Sequence, residues 1–353
     1  MEKKQIGKNL EGKTILITGG AGFIGSNLAS KISQFNPKEI IIVDSLVKGL
    51  GGNVNNIPSY KNVTLLVGEN WDIKNIPEIK PLLKKTDYVF NLAGSIQHNP
   101  LNNKKLDFDL NINLIPQLYF LEACRQTLEE DKDKFLSIVF SGTRDQYGKL
   151  TMKDLPVKED FLPKEFTDYQ SINKNAVESY HFLLYSSMKG AAKNFFLTSA
   201  RLVNTYGPKQ DLNCGAVVPL FIKKMMKGEV IELHNGGDVL RDFNYVDDVT
   251  DALILLGTSE KASGNSYNLG CCIGKKGMSE PIGDNLKTLK DFAYTLRDIN
   301  HGGEIIEIPR PKDKEKIEPG SCCSDITKIN KELGWAPQIN LKEGLIKSLR
   351  YYK

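Results

Sequence analysis

The chain has 353 residues, with 47 Lys+Arg against 43 Asp+Glu and a formal net charge of +4, a length that suggests about two domains. Hydrophobic residues at 40% and charged residues at 25% are ordinary for a globular protein and exclude a disordered or fibrous one. The weak charge, without a block of like charges, argues against a nucleic-acid binder, and no apolar run approaches the roughly 18 residues of a membrane span.

Residues 13–18 form the first apolar run and read as a buried strand. Residues 1–4 ahead of it are charged, and the run is too short for a signal-peptide core, so a cytoplasmic location is expected. Further strands are predicted at 40–44, 63–67, 88–92, 136–140 and 196–201, with helical stretches at 26–35, 111–130 and 174–189 between them. Strands alternating with helices predict βαβ units and a parallel sheet covered on both faces. The near-continuous apolar strands agree, because parallel strands are buried on both sides. After residue 204 Pro and Gly become frequent, residues 309–319 read as irregular surface, and two short helical patterns flank Leu333-Gly334-Trp335. A smaller mixed lobe is expected there.

The first strand runs into Gly19-Gly20-Ala21-Gly22-Phe23-Ile24-Gly25, and a helix follows. Glycines at 19, 22 and 25 allow a tight turn, close approach of backbone to a pyrophosphate, and close helix–strand packing. N–H groups at the helix start then face the phosphates. Asp44, at the end of the second strand, is placed to accept hydrogen bonds from an adenosine ribose. It would repel a 2′-phosphate, so NAD is expected over NADP. Lys48 is read as a solvated loop residue.

The spacing Gly19-x-x-Gly22-x-x-Gly25 resembles the extended short-chain dehydrogenase/reductase superfamily. Other segments carry the resemblance further: Asp72-Ile73, Asn91-Leu92-Ala93-Gly94, Asn113, Arg201-x-x-Asn204-x-Tyr206-Gly207-Pro208, Arg241-Asp242-Phe243-x-Tyr245-Val246-Asp247-Asp248-Val249 and Leu333-Gly334-Trp335-x-Pro337. The last three are similar to segments of nucleotide-sugar epimerases and dehydratases. The resemblance implies an α/β fold: a doubly wound parallel Rossmann sheet with a smaller mixed α/β C-terminal substrate lobe. Residues 1–203, with about 241–271 returning to them, would bind NAD; residues 204–240 and 272–353 would hold a nucleoside-diphosphate sugar. Phe23, Ile24, Asp72, Ile73, Leu92, Ala93, Gly94 and Lys174 join the glycines and Asp44 as cofactor contacts. Asn204, Arg241, Val218, Phe221 and Arg310 are expected at the substrate. Asp247 and Asp248 are expected to cap a helix beginning at Val249.

In that family a sugar carbon gives a hydride to NAD⁺, and the transient ketone then epimerises, dehydrates or decarboxylates. The proton leaves through Tyr-x-x-x-Lys on one helix face. Here Lys174 matches the family lysine, but the residue four before it is Gln170, and Tyr169 is five before. Gln170 can bond a hydroxyl but cannot take its proton. Either an irregular helix start brings Tyr169 in, or the usual base is absent. Thr143 matches the hydroxyl that bonds the reacting sugar oxygen. Dehydratases place Asp and Glu next; here Arg144 and Asp145 follow. Asp145 is therefore either a proton shuttle or the ion-pair partner of Arg144, and Arg144 suits an acidic substituent or a phosphate.

His98, His181, His234 and His301 lack metal spacing, so no metal is expected, and Cys271-Cys272 and Cys322-Cys323 read as four free thiols. The resemblance implies a homodimer through helices 111–130 and 174–189. The leading expectation is an NAD-dependent nucleotide-sugar epimerase, similar to UDP-sugar 4-epimerases, with a dehydratase (4,6- or unusual elimination) or a decarboxylase as alternative. The competing class is a non-catalytic NAD and nucleotide-sugar binder that lost its tyrosine.

Overall fold

The computed structural model describes residues 8–95, 107–166, 168–275, 278–281, 285–311 and 320–353. Alternate residues of the early strands face opposite layers, which is why these segments are apolar throughout. In β1 (Thr14–Thr18) and β2 (Glu39–Asp44), Ile15, Ile17, Ile40 and Ile42 pack against one layer of helices, while Leu16, Ile41 and Val43 pack against the other. The first layer holds α1 (Phe23–Ile32); the second holds α2 (Ile76–Lys85), which follows β3 (Val63–Val67).

Next come β4 (Tyr88–Asn91), α3 (Ile115–Glu130), β5 (Leu136–Thr143), α4 (Tyr169–Met188) and β6 (Phe195–Leu202). A π-turn, Leu110–Leu114, leads into α3. Pro116, near its start, has no N–H to give the carbonyl four residues back, which favours the irregular turn. Helix α3 and helix α4 share the layer of α2. His181 sits buried in α4, stacked on Phe140 with ring centroids 4.4 Å apart. His98 lies outside the described residues.

The second lobe contains β7 (Asn204–Tyr206), α5 (Val217–Lys227), β8 (Ile231–His234) and β9 (Leu240–Tyr245). The chain then returns to the large sheet through α6 (Val246–Thr258), packed beside α1, and β10 (Asn265–Leu269). Beyond lie β11 (Cys272–Lys275), β12 (Met278–Pro281), β13 (Leu286–Thr288), α7 (Leu289–Asn300), β14 (Ile305–Ile308), α8 (Thr327–Leu333) and α9 (Leu341–Tyr352). The seven-stranded sheet has the order β10-β6-β5-β4-β1-β2-β3 and is parallel throughout. The order reverses between β1 and β4, which opens a crevice at their carboxyl ends. The second lobe has its own core, with Phe221, Phe243 and Phe292 between α5, α7 and α9.

Two expectations need correction. Helix α6 begins at Val246, so Asp247 and Asp248 lie inside its first turn; Asp248 instead accepts the Ile339 N–H at 2.8 Å and anchors the C-terminal segment. The four cysteines are not all free thiols, because Cys272 and Cys323 form a disulfide. Backbone bonds of Cys272 to Ser324 and Ile326 lay the 322–326 strap along the start of β11 and bring the two together. Cys271 and Cys322 stay free and buried.

Candidate active site

A cavity of about 310 Å³ opens at the β1–β4 crevice and runs between the lobes. Its cofactor half is made largely of backbone. Gly19 has φ +65°, and a Cβ there would lie 2.8 Å from the Ala93 nitrogen of the neighbouring strand end, so only glycine permits the turn. Gly22 is the N-cap of α1 and supplies no side chain, which leaves the helix start open for an anionic group. Gly22, Phe23, Ile24 and Gly25 all line the cavity.

Asp44, on the wall, accepts N–H bonds from Ala21 at 3.0 Å and Leu46 at 2.9 Å. Burial raises its pKa above the ordinary carboxylate value. Asp72, Ile73, Leu92, Ala93 and Gly94 complete this half, whereas Lys48 is exposed and off the lining. A bare helix start, with the Asp44 carboxylate on the wall and no lysine or arginine next to it among the described residues that line the cavity, fits NAD.

The reactive half is built from side chains. Strand β5 runs three residues past its expected end and delivers Thr143 to the cavity. The Thr143 hydroxyl donates to Asp145 Oδ2 at 2.9 Å and accepts the Asp145 N–H at 3.2 Å. Arg144 Nη2 stands 3.7 Å from Asp145 Oδ1. Both side chains are about nine-tenths buried yet reach the wall.

Helix α4 begins at Tyr169 because Asp168 caps it, its carboxylate accepting the Ser171 N–H at 2.7 Å. At about 100° per residue, that regular start puts Gln170 and Lys174 on the cavity face and turns Tyr169 outward. Tyr169 is 46% exposed and does not line the cavity. The structure therefore does not bring the shifted tyrosine to the site. Gln170 donates to the Ser95 carbonyl at 2.7 Å, which fixes its amide, and its buried Oε1 has no partner among the described residues.

Lys174 Nζ lies 3.5 Å from the Ser141 carbonyl and 5.3 Å from the Phe140 ring centroid. Burial lowers its pKa to about 8, against the pull of Asp109. Asp109 is held by Asn113 at 2.6 Å and Asn173 at 2.5 Å. A Cβ on Gly94 would sit 2.9 Å from Nζ, so the glycine makes room for the ammonium.

Asn204 and Val218 line the cavity from the second lobe. Arg241, Phe221 and Arg310 do not. Arg241 is buried, its guanidinium donating to the Leu240 and Gly320 carbonyls. Phe221 packs on Phe292 in the second core. Arg310 meets Asn235 through its backbone N–H at 2.8 Å. The sequence reading missed Gln146 and Glu178, which stand behind Thr143. The spacing Thr143-x-x-Gln146 is the sequence form of a capping box, and the structure has that box.

The NAD dependent epimerase/dehydratase family matches residues 15–270. The putative UDP-glucose 4-epimerase of Methanocaldococcus jannaschii is 29% identical, over 96% of this chain and 98% of its own. UDP-glucuronic acid decarboxylase 1 of Xenopus tropicalis is 27% identical, over 97% of this chain and 72% of its own. The structure of the Thermotoga maritima UDP-glucose 4-epimerase with UDP-glucose aligns at TM-score 0.78 and 27% identity, over 96% and 98% of the two chains. The family match spans the sheet, the glycine turn and Lys174: the chain belongs to the NAD-dependent epimerase/dehydratase family, and NAD is its cofactor.

Proposed function

We propose that this enzyme acts on a UDP-sugar and interconverts epimers through a transient keto-sugar, with Asp145 and Thr143 in place of the usual tyrosine. The observation that carries this reading is the hydrogen bond from the Thr143 hydroxyl to Asp145 on the cavity wall, while Tyr169 stands outside. NAD bound in the glycine half supplies a reversible hydride acceptor for a sugar carbon. The chain's own residues handle the proton. The sugar hydroxyl gives its proton to Thr143 Oγ1 as Thr143 gives its own to Asp145, a relay within hydrogen-bond reach. Arg144, charged at any working pH, stands 3.7 Å from Asp145 and holds the carboxylate at the wall. The buried Lys174 ammonium stabilises negative charge developing on the sugar oxygen. Gln170 Oε1 is an acceptor for a sugar hydroxyl. Asn204 and Val218 border the nucleotide, and the two lobes divide the ligands at the boundaries given above.

Epimerisation needs one proton acceptor and a reversible oxidation, which this set supplies. Ordinary 4,6-dehydration needs a second acid at position 144, where Arg144 stands. A second reading, decarboxylation of a UDP-hexuronate, is favoured by the same Arg144, because a guanidinium fork suits a carboxylate. Two copies would pair through the exposed Tyr119 of α3 and Ile172, Tyr180 and Leu183 of α4, large apolar side chains that a partner would cover.

The test is mass spectrometry and NMR after incubation with UDP-, GDP-, CDP- and dTDP-sugars and NAD⁺. An isomer of unchanged mass from a UDP-hexose supports the proposal. Release of CO₂ from a UDP-hexuronate selects the second reading, and loss of water rejects both. Binding without any product would mean a non-catalytic binder.

A further inference from the structure

We infer that Gln146 is a positioning residue for the Thr143–Asp145 pair, an inference that rests on the reading of that pair as the proton acceptor. Gln146 is 1% exposed and does not line the cavity, so it touches neither ligand. Its amide is used at both ends. Oε1 accepts the Thr143 N–H at 2.8 Å, and Nε2 donates to Glu178 Oε2 at 3.1 Å. Its backbone carbonyl accepts from Asn175 Nδ2 at 2.7 Å. A Cβ on Gly142 would overlap Gln146 Oε1, so the glycine before Thr143 makes room for the amide.

Glu178 is itself immobilised. Arg201 Nη2 donates to it at 2.6 Å and Nε at 3.2 Å, Ser266 donates at 3.1 Å, and Ser199 adds a fourth donor. One turn before it on the same face of α4 is Lys174. Gln146 thus ties the turn that carries Thr143 and Asp145 to the helix that carries the ammonium. With no tyrosine on that helix at the cavity, this tie sets the register between the proton acceptor and the cation.

The test is a double-mutant cycle. Gln146→Met keeps the volume and removes both side-chain bonds. A slip of the Thr143 turn is expected to lower kcat by ~10- to 100-fold. The KM for the sugar and the affinity for NAD stay within about twofold, since no ground-state contact is lost. In a Thr143→Ala background the same substitution should cost nothing further. Hydrogen exchange at the Thr143 amide should accelerate whether or not ligands are present.

Should Gln146→Met fail to fold, Gln146→Glu keeps the acceptor for Thr143 and loses the donor to Glu178. Its kcat should then recover as pH falls and the new carboxyl regains a proton to donate. An unchanged kcat overturns the inference. So does a loss that is additive with Thr143→Ala, or one that appears equally in KM and thermal stability. A wild-type enzyme that turns over no nucleotide sugar overturns the functional reading and the inference with it, whereas a normal wild type beside an unaffected Gln146→Met removes the inference alone.

Discussion

The two halves of the cavity are built by different means. The cofactor half is backbone geometry: a left-handed turn at Gly19, a bare helix start at Gly22, and Asp44 held by two N–H groups of nearby residues. The reactive half rests on a side-chain network behind the wall, whose members come from distant parts of the chain: Thr143, Gln146, Glu178, Arg201 and Ser266. A backbone site tolerates change wherever its glycines and Asp44 are spared. A network site transmits the loss of one member to the next, because each buried polar group depends on its partner. Under the proposed function, the difference predicts where substitutions act: in the first half on affinity, in the second on rate.

Substitutions can break or sharpen this contrast. The largest effect is expected for Asp145→Asn, which leaves Thr143 a partner but no proton acceptor. Its kcat should fall by ~10²- to 10⁴-fold with little change in NAD affinity; steady-state kinetics and a NAD titration check both. In the cofactor half, Asp44→Ala removes an acceptor from the ribose end and should weaken NAD by roughly 10- to 100-fold, with kcat at saturating NAD preserved. Isothermal titration beside kinetics would separate the two; an equal loss in kcat would erase the contrast.

Acidity gives a third, intermediate handle. The Lys174 ammonium is charged below its folded value of about 8 and neutral above it, so kcat should decline on the alkaline side of about pH 8. Stability moves the other way. Between about 8 and the ordinary 10.5 the unfolded chain holds the extra proton, so the folded form gains stability as pH rises through that window. Denaturant melts across pH, with and without Lys174→Met, would test this. The smallest effect is expected for Tyr169→Phe: a change in kcat within about twofold, as for a surface substitution. A large loss would return the tyrosine to the proton-transfer role and reject Asp145.

Legibility in the sequence follows the same line. The strand periods, the glycine turn and Asp44 were readable because each depends on residues near in sequence. All the expected cofactor residues line a single cavity, that of the β1–β4 crevice. Thr143, Lys174, Arg144, Asp145 and Gln170, singled out from the sequence, line the same cavity, and the spacing Thr143-x-x-Gln146 was there to be noticed. What could not be read was direction. The outward turn of Tyr169 depends on where Asp168 caps the helix. Arg241 was expected at the substrate, but its guanidinium is engaged by the Gly320 carbonyl from a segment far along the chain. Cys272 and Cys323 meet only because the 322–326 strap lies along β11.

By itself the sequence determined the α/β architecture, the dinucleotide turn and the family, because hydrophobic period and glycine spacing are local and need no partner. Only the tertiary structure decided which side chains share the reactive end. The Gln146–Glu178 tie, the exclusion of Tyr169 and the burial of Arg241 each rest on helix starts or long-range hydrogen bonds. In a buried site those are selected by whether every polar group finds a partner, a condition met only when the whole chain has packed.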